Sequence, residues 1–225
     1  MGVEALAAGG LAEEDRRRLA ELPTANLSDA LDALGLSGTM GGISPLWGRS
    51  PYRMVGVART VLQAPRGIAA DPQTSYTRHM QLVDDGLRPG DVVLVSTPPQ
   101  VPASSWGHLL SLRCKVQGVA GTVLDGTVRD PAEILELGYA LFTRTGQSCP
   151  AGSKLRLQTV GIDVPIVCGG VPVSPGDTVV GDDSGVVVIP PARLPDVIEA
   201  ASTILARERE LARTLAAGGR FSDVG

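Results

Sequence analysis

Val119-Ala-Gly-Thr-Val-Leu-Asp-Gly-Thr-Val-Arg-Asp130 is the stretch on which the reading of this chain turns. Its apolar, β-branched opening, bounded by glycine, predicts a buried strand. Asp125-Gly126 breaks that strand as a turn dipeptide. Arg129 and Asp130 follow, and Pro131 then opens the helical pattern AEILELG. Side chains at the end of a strand are rigidly held yet free to meet a ligand. Arginine offers a planar fork to a carboxylate. Aspartate offers hard oxygen to Mg²⁺ or Mn²⁺. The pair therefore suits a small, metal-bound oxyacid. A purely structural reading is equally open at this point: Asp125 caps a turn, Asp130 caps the helix that Pro131 starts, and Arg129 with Asp130 is a solvated pair.

Outward from this centre, the chain alternates short apolar runs with turns. On the N-terminal side, Arg88-Pro89-Gly90-Asp91 is a turn into Val92–Val95, a run apolar at every position and so buried on both faces. Val55–Leu62 predicts a strand, Pro72–Leu87 a helix, Ser37–Pro51 an ordered loop, Thr97–Ser105 a proline-rich loop and Trp106–Gln117 a helix. On the C-terminal side, Ala140–Thr143, Lys154–Val160 and Val164–Cys168 predict strands. Thr178–Val180 and Val186–Ile189 flank the hairpin turn Asp182-Asp183-Ser184-Gly185. The ends are helical. Leu11–Leu22 is stopped by Pro23, and Thr24 or Asn26 caps a second helix that Gly35 closes. An amphipathic helix runs from about Leu194 to Ala216 and carries Arg207-Glu208-Arg209-Glu210 on a surface fit for solvent or a neighbouring subunit.

Composition narrows the function classes. The 225 residues are 43% hydrophobic but only 3% aromatic, so the core must be built of Val, Leu, Ile and Ala. The net charge of −4 and the lack of a basic stripe argue against nucleic-acid binding. No apolar run approaches ~20 residues, which argues against a membrane helix, and no signal-peptide pattern opens the chain. Cys114, Cys149 and Cys168 are odd in number and widely spaced, which fits reduced thiols in a cytoplasm rather than disulfides or a zinc site. A catalytic triad would have to use His79 or His108, the two histidines. Neither a phosphate loop nor a glycine-rich fingerprint for a nucleotide cofactor is present.

Taken in order, LSDALDALG with GTMGGISPLWG, VGVARTV, RPGDVVLV, WGHLLSLRCKVQGVAGTVLDGTVRD and VSPGDTVVGDDSGVVVIP resemble the RraA-like family over nearly the whole chain. Their order around the DG-x-x-RD core carries the likeness. That family holds the class II, divalent-metal-dependent 4-hydroxy-4-methyl-2-oxoglutarate aldolases and the regulators of ribonuclease activity. The resemblance implies an α/β fold: a single compact swivelling domain over 1–225 with layered sheets, an N-terminal helical extension (1–22) and a C-terminal helix (192–217). It also implies a homotrimer or hexamer with active sites between subunits.

The resemblance makes Asp130 the ligand of Mg²⁺ or Mn²⁺ and Arg129 the contact to the pyruvyl group. Backbone N–H groups of Gly107, His108, Leu109 and Leu110 then receive the substrate carboxylate. The implied reaction is cleavage of a C–C bond of a 2-oxo acid through a metal-stabilised pyruvate enolate, as in aldol cleavage or oxaloacetate decarboxylation. Two departures stand out. His108 occupies the place of the usual acid and is a candidate base. The preceding strand ends in Ser96-Thr97-Pro98-Pro99, where the family has an Asp or a similar residue followed by a glycine-rich segment. Glu199, Glu208 and Glu210 are candidates for an acid lent to a neighbouring subunit. The alternatives are an enzyme repurposed for another substrate in specialised metabolism and a non-catalytic ribonuclease-binding regulator.

Overall fold

The computed structural model describes residues 10–46, 53–67, 79–144 and 148–223. The expectations for Trp47, for the first part of the Pro72–Leu87 helix and for Gly146 and Gln147 lie outside the described residues.

The centre of the molecule is a mixed, eight-stranded sheet. β2 (Met54–Pro65), β3 (Asp91–Ser96), β5 (Gly121–Asp125) and β7 (Leu141–Arg144) run parallel in the order β7-β5-β3-β2. β1 (Ile43–Pro45) closes the β7 edge. Beyond β2 lie β11 (Thr178–Asp182) and β12 (Gly185–Ile189), the hairpin expected at Asp182–Gly185. The far half of the same β2 edge is taken by β8 (Leu157–Ile162). A second hairpin pairs β9 (Ile166–Cys168) with β10 (Val171–Val173). Among the described residues, five α-helices pack around the sheet: α1 (Glu13–Glu21), α2 (Thr24–Ala33), α3 (His108–Val116), α4 (Pro131–Leu137) and α5 (Leu194–Ala216).

Strand alternation sorts the core. Val92, Leu94 and Val123 face a cluster with Met54, Phe142 and the β9–β10 hairpin. Val93, Val95 and Leu124 face Trp106, Cys114, Ile134 and Tyr139, beneath α3 and α4. Val180, Val187 and Ile189 take the side chains of α1, α2 and α5. A run with both faces covered must be apolar throughout, which is why these strands lack a polar alternation. Burial pushes the Cys114 thiol up to about 11 and the Cys168 thiol higher still, so both stay protonated.

Two local expectations change. Neither Thr24 nor Asn26 caps α2, whose N-cap is Pro23. Thr24 instead donates its N–H and its hydroxyl to Asp182 at 2.8 and 2.5 Å, and Asn26 donates to Glu208 at 2.6 Å. Tertiary partners take the polar groups that a lone helix would spend on its own end. The helix expected to begin at Trp106 begins at His108, because Ser104–Trp106 is a short strand, β4.

Candidate functional site

The site is built by one small pairing. After β5, the chain turns at Gly126 and forms β6 (Thr127–Val128), which pairs in parallel with β4. Thr97 Oγ1 donates to the Asp125 carbonyl and would lie 1.9 Å from any Cβ at Gly126, so only glycine fits this turn. The β4–β6 pairing sets the residues just beyond each strand side by side: Gly107 with the start of α3, and Arg129 with Asp130. Arg129 donates its N–H to the Trp106 carbonyl at 3.1 Å.

Gly107 is the N-cap of α3. The first helical bond runs from Ser111 N to the Gly107 carbonyl at 3.2 Å, so the N–H groups of His108, Leu109 and Leu110 precede it and serve no carbonyl within the helix. A helix N-terminus of this kind favours an anion. Trp106 Nε1 donates to Ser111 Oγ at 3.0 Å, and that hydroxyl donates to the Gly107 carbonyl, which fixes the entry of α3.

Asp130 is the N-cap of α4 in the left-handed conformation, with φ 56°, and its carboxylate caps nothing. One oxygen lies 3.4 Å from Arg129 Nε, and both side chains are partly exposed. The capping half of the structural reading therefore fails, while the pairing half holds. Asp125 is no simple turn cap either: it accepts the Gly169 N–H at 2.8 Å and pairs with Arg144 at 2.5 Å, tying β5 to β7 and the β9–β10 hairpin.

A cavity of about 270 Å³ opens at this junction. Gly107, Leu109, Leu110 and Arg129 line it, as do Ser104, Ser105 and Trp106 of β4. The segment after Ser148 runs beside β6 and β4, through Cys149 N to the Val128 carbonyl and Ser104 N to the Ala151 carbonyl, and so delivers Gly152, Ser153 and Lys154 to the wall. His79 and Met80 complete it. His108, at the first position of α3, and Asp130 stand beside this lining rather than in it. Arg129 and Lys154 are cations, and among the described residues the lining holds no carboxylate. His79 is 4% exposed, with Nδ1 3.2 Å from Thr159 Oγ1; burial lowers its pKa to about 4, so it is neutral at physiological pH.

Gly107 is a spatial requirement of the junction. A Cβ there would sit 3.0 Å from both Arg129 Cγ and Asp130 Oδ2. Gly107→Ala is expected to fold normally yet displace the Arg-Asp pair, and to weaken whatever binding or chemistry the pair serves by about tenfold or more. An unchanged affinity or rate in that variant would show that the pair tolerates displacement.

The sequence matches the RraA-like family (Aldolase/RraA) over residues 24–188. The chain belongs to the RraA-like family. It is 35% identical over 180 residues to a Halalkalibacterium halodurans protein provisionally named a 4-hydroxy-4-methyl-2-oxoglutarate aldolase, spanning 80% of this chain and 78% of that one. It is 30% identical over 205 residues to protein DlpA of Legionella pneumophila, spanning 90% of this chain but 32% of DlpA, so it covers about a third of that relative. Among solved structures, RraAS2 of Streptomyces coelicolor, described as an unusual member of the RNase ES inhibitor RraA protein family, superposes with a TM-score of 0.79 at 27% identity, covering 91% of this chain and 98% of that one. The RraA-like fold accounts for the single α/β domain with its layered sheets, N-terminal helices and C-terminal helix. No helix among the described residues is long and apolar enough to cross a membrane.

Two features of this cavity lay beyond the local sequence pattern. His79 and Lys154 reach the cavity only through tertiary packing, and neither carries a local motif. Of the three glutamates considered for a neighbouring subunit, Glu208 accepts the Asn26 hydrogen bond within its own chain.

Proposed function

We propose that the protein is a lyase that cleaves a C–C bond of a 2-oxo acid through a pyruvate enolate at this cavity. The observation that carries the reading is the β4–β6 pairing, which brings an open helix N-terminus, a guanidinium and a partly exposed carboxylate to one place. The resemblance of the chain to the provisionally named aldolase supports it.

In this reading the substrate carboxylate binds the N–H groups of His108 to Leu110. Arg129 faces the 2-oxo oxygen. As the C3–C4 bond breaks, its electron pair moves to C3 and the charge spreads onto that oxygen, where Arg129 stabilises it. In an aldol substrate the C4 hydroxyl gives its proton to solvent and leaves as a carbonyl, and C3 takes a proton from water. His108, beside the cavity, is the candidate to order that water.

Among the described residues there is no group of three His, Cys, Asp or Glu side chains able to hold a metal. The carboxylate that the family resemblance assigns to the metal is Asp130, and a single carboxylate fits a hard, largely hydrated ion such as Mg²⁺ or Mn²⁺ and not zinc. Such an ion, when bound, supplies Lewis acidity at the 2-oxo oxygen. The exposed Leu109, Leu112 and Val116 share one face of α3, which starts at the cavity with Leu109, and support an assembly of copies, a trimer or hexamer.

The test is pyruvate release from oxaloacetate, with Mg²⁺ and with EDTA, on wild type and Asp130→Asn. Loss of the enzyme-dependent rate both with EDTA and in the variant is expected. Full metal-dependent activity in Asp130→Asn would overturn the assignment of the metal. The likeness to RraAS2 favours a second reading, a protein-binding regulator. An enzyme-dependent rate that is absent in wild type, together with capture of a ribonuclease, would establish it instead.

A further inference from the structure

β4 and β6 do not pair evenly. Ser104 stands opposite Thr127 and Trp106 opposite Val128, so Ser105 is an extra residue in β4, a bulge in the pairing. A bulge beside a site re-aims one side chain while its neighbours stay paired. Those neighbours are committed within the fold: Ser104 Oγ donates to the Cys149 carbonyl, and Trp106 Nε1 donates to Ser111 Oγ at 3.0 Å. Ser105 is different. It lines the cavity and is 3% exposed, and its buried Oγ has no hydrogen-bond partner among the described residues. A buried hydroxyl without a partner is destabilising, and a ligand oxygen that accepts its hydrogen bond removes the penalty. The next residue, Trp106, accepts the Arg129 N–H, so Ser105 stands one residue from the point where the backbone of Arg129 is fastened. With Arg129 and Lys154 in the lining and no carboxylate there among the described residues, the ligand supplies the acceptor and the hydroxyl is the donor.

We propose that Ser105 is a further catalytic residue: its hydroxyl donates a hydrogen bond to the 2-oxo oxygen and, with Arg129, forms the oxyanion hole of the enolate. The assignment rests on the lyase reading above. No proton changes hands at Ser105. As the C3–C4 bond breaks, its electron pair moves to C3, negative charge gathers on the 2-oxo oxygen, and the hydrogen bond strengthens with that charge. Such a donor lowers the barrier more than it tightens binding of the ground state.

Two probes report on the enolate without a departing half. Deuterium exchange into the methyl group of pyruvate passes through it, and oxalate, a planar dianion, imitates it. Ser105→Ala should lower kcat for oxaloacetate decarboxylation and the rate of methyl exchange together, by about 10- to 100-fold, the kinetic equivalent of one hydrogen bond to a charged oxygen. KM for oxaloacetate should change little. Calorimetry in Mg²⁺ buffer should show oxalate affinity falling by a similar factor and pyruvate affinity falling much less. The melting temperature should stay the same or rise, since no bond within the fold is lost. Ser105→Cys, which keeps the shape with a weaker donor, should lie between wild type and Ser105→Ala. A raised KM with kcat unchanged would overturn the assignment, because the bond would then serve the ground state alone. Unchanged oxalate affinity, unchanged exchange or a lowered melting temperature in Ser105→Ala would each overturn it as well. A wild type with neither exchange nor an enzyme-dependent decarboxylation would instead remove the lyase reading on which the assignment stands.

Discussion

Arg129→Met is expected to lower pyruvate formation from oxaloacetate by about 10²–10³-fold, the usual cost of removing a donor aimed at developing negative charge. The backbone of Arg129 is fixed by its N–H bond to the Trp106 carbonyl, and its side chain lies along Gly107 and Gly152 within the cavity wall. Its ion pair with Asp130 spans 3.4 Å, with side-chain exposures of 46% and 40%. Such an exposed pair contributes about 0–1 kcal/mol to stability. The variant should therefore keep its melting temperature while losing turnover. Arg129→Lys should recover little, because an ammonium lacks the planar fork. Stopped or initial-rate assays with a thermal melt on the same samples decide the point. Full activity in Arg129→Met would place the chemistry elsewhere.

Arg59→Met is expected to have the largest effect on stability, about 3–5 kcal/mol, because it leaves two carboxylates poorly solvated and unpaired. From β2, Arg59 holds Asp163 through Nε and Nη2 at 2.9 and 2.7 Å and reaches Asp91 at 3.2 Å. The three side chains are 17%, 20% and 11% exposed in that order. Asp91 also accepts the Arg88 N–H at 2.8 Å, and Asp163 sits at φ 51° between β8 and β9. Adding Asp91→Asn and Asp163→Asn to Arg59→Met should restore part of the loss, since the penalty arises from the stranded charges. Urea denaturation of the single and triple variants measures both effects. A loss below about 1 kcal/mol in Arg59→Met would mean that water reaches this network freely.

The sheet was legible because its strands are locally consistent: Val92–Val95 and Val119–Leu124 are apolar at nearly every position, and both faces are indeed covered. The two helical ends were legible from their periodicity. β4 was not, because three residues between a proline-rich segment and a glycine carry no strand period, and what makes them a strand is the distant Thr127–Val128. The Arg-Asp turn and the helix start after Trp106 were visible as motifs, and the structure places them together. His79, Ser105 and Lys154 were not, since the folded wall that gathers them is assembled from segments far apart in the chain. His108 illustrates the opposite case: its position beside Gly107 drew attention, yet the cavity wall is formed by its neighbours.

β2 also shapes how the chain must fold. One edge of this strand is met by β3, which follows soon after it, but the other edge is shared between β8 and β11, which come far later in the chain. Contacts this remote in sequence slow folding, because a large loop must close before they form. Until then the free edge of a long apolar strand offers itself to any other chain nearby. Yield on expression should therefore depend on temperature and chaperones more than the stability of the finished protein would suggest, and truncation before Thr178 should yield aggregate rather than a smaller folded unit.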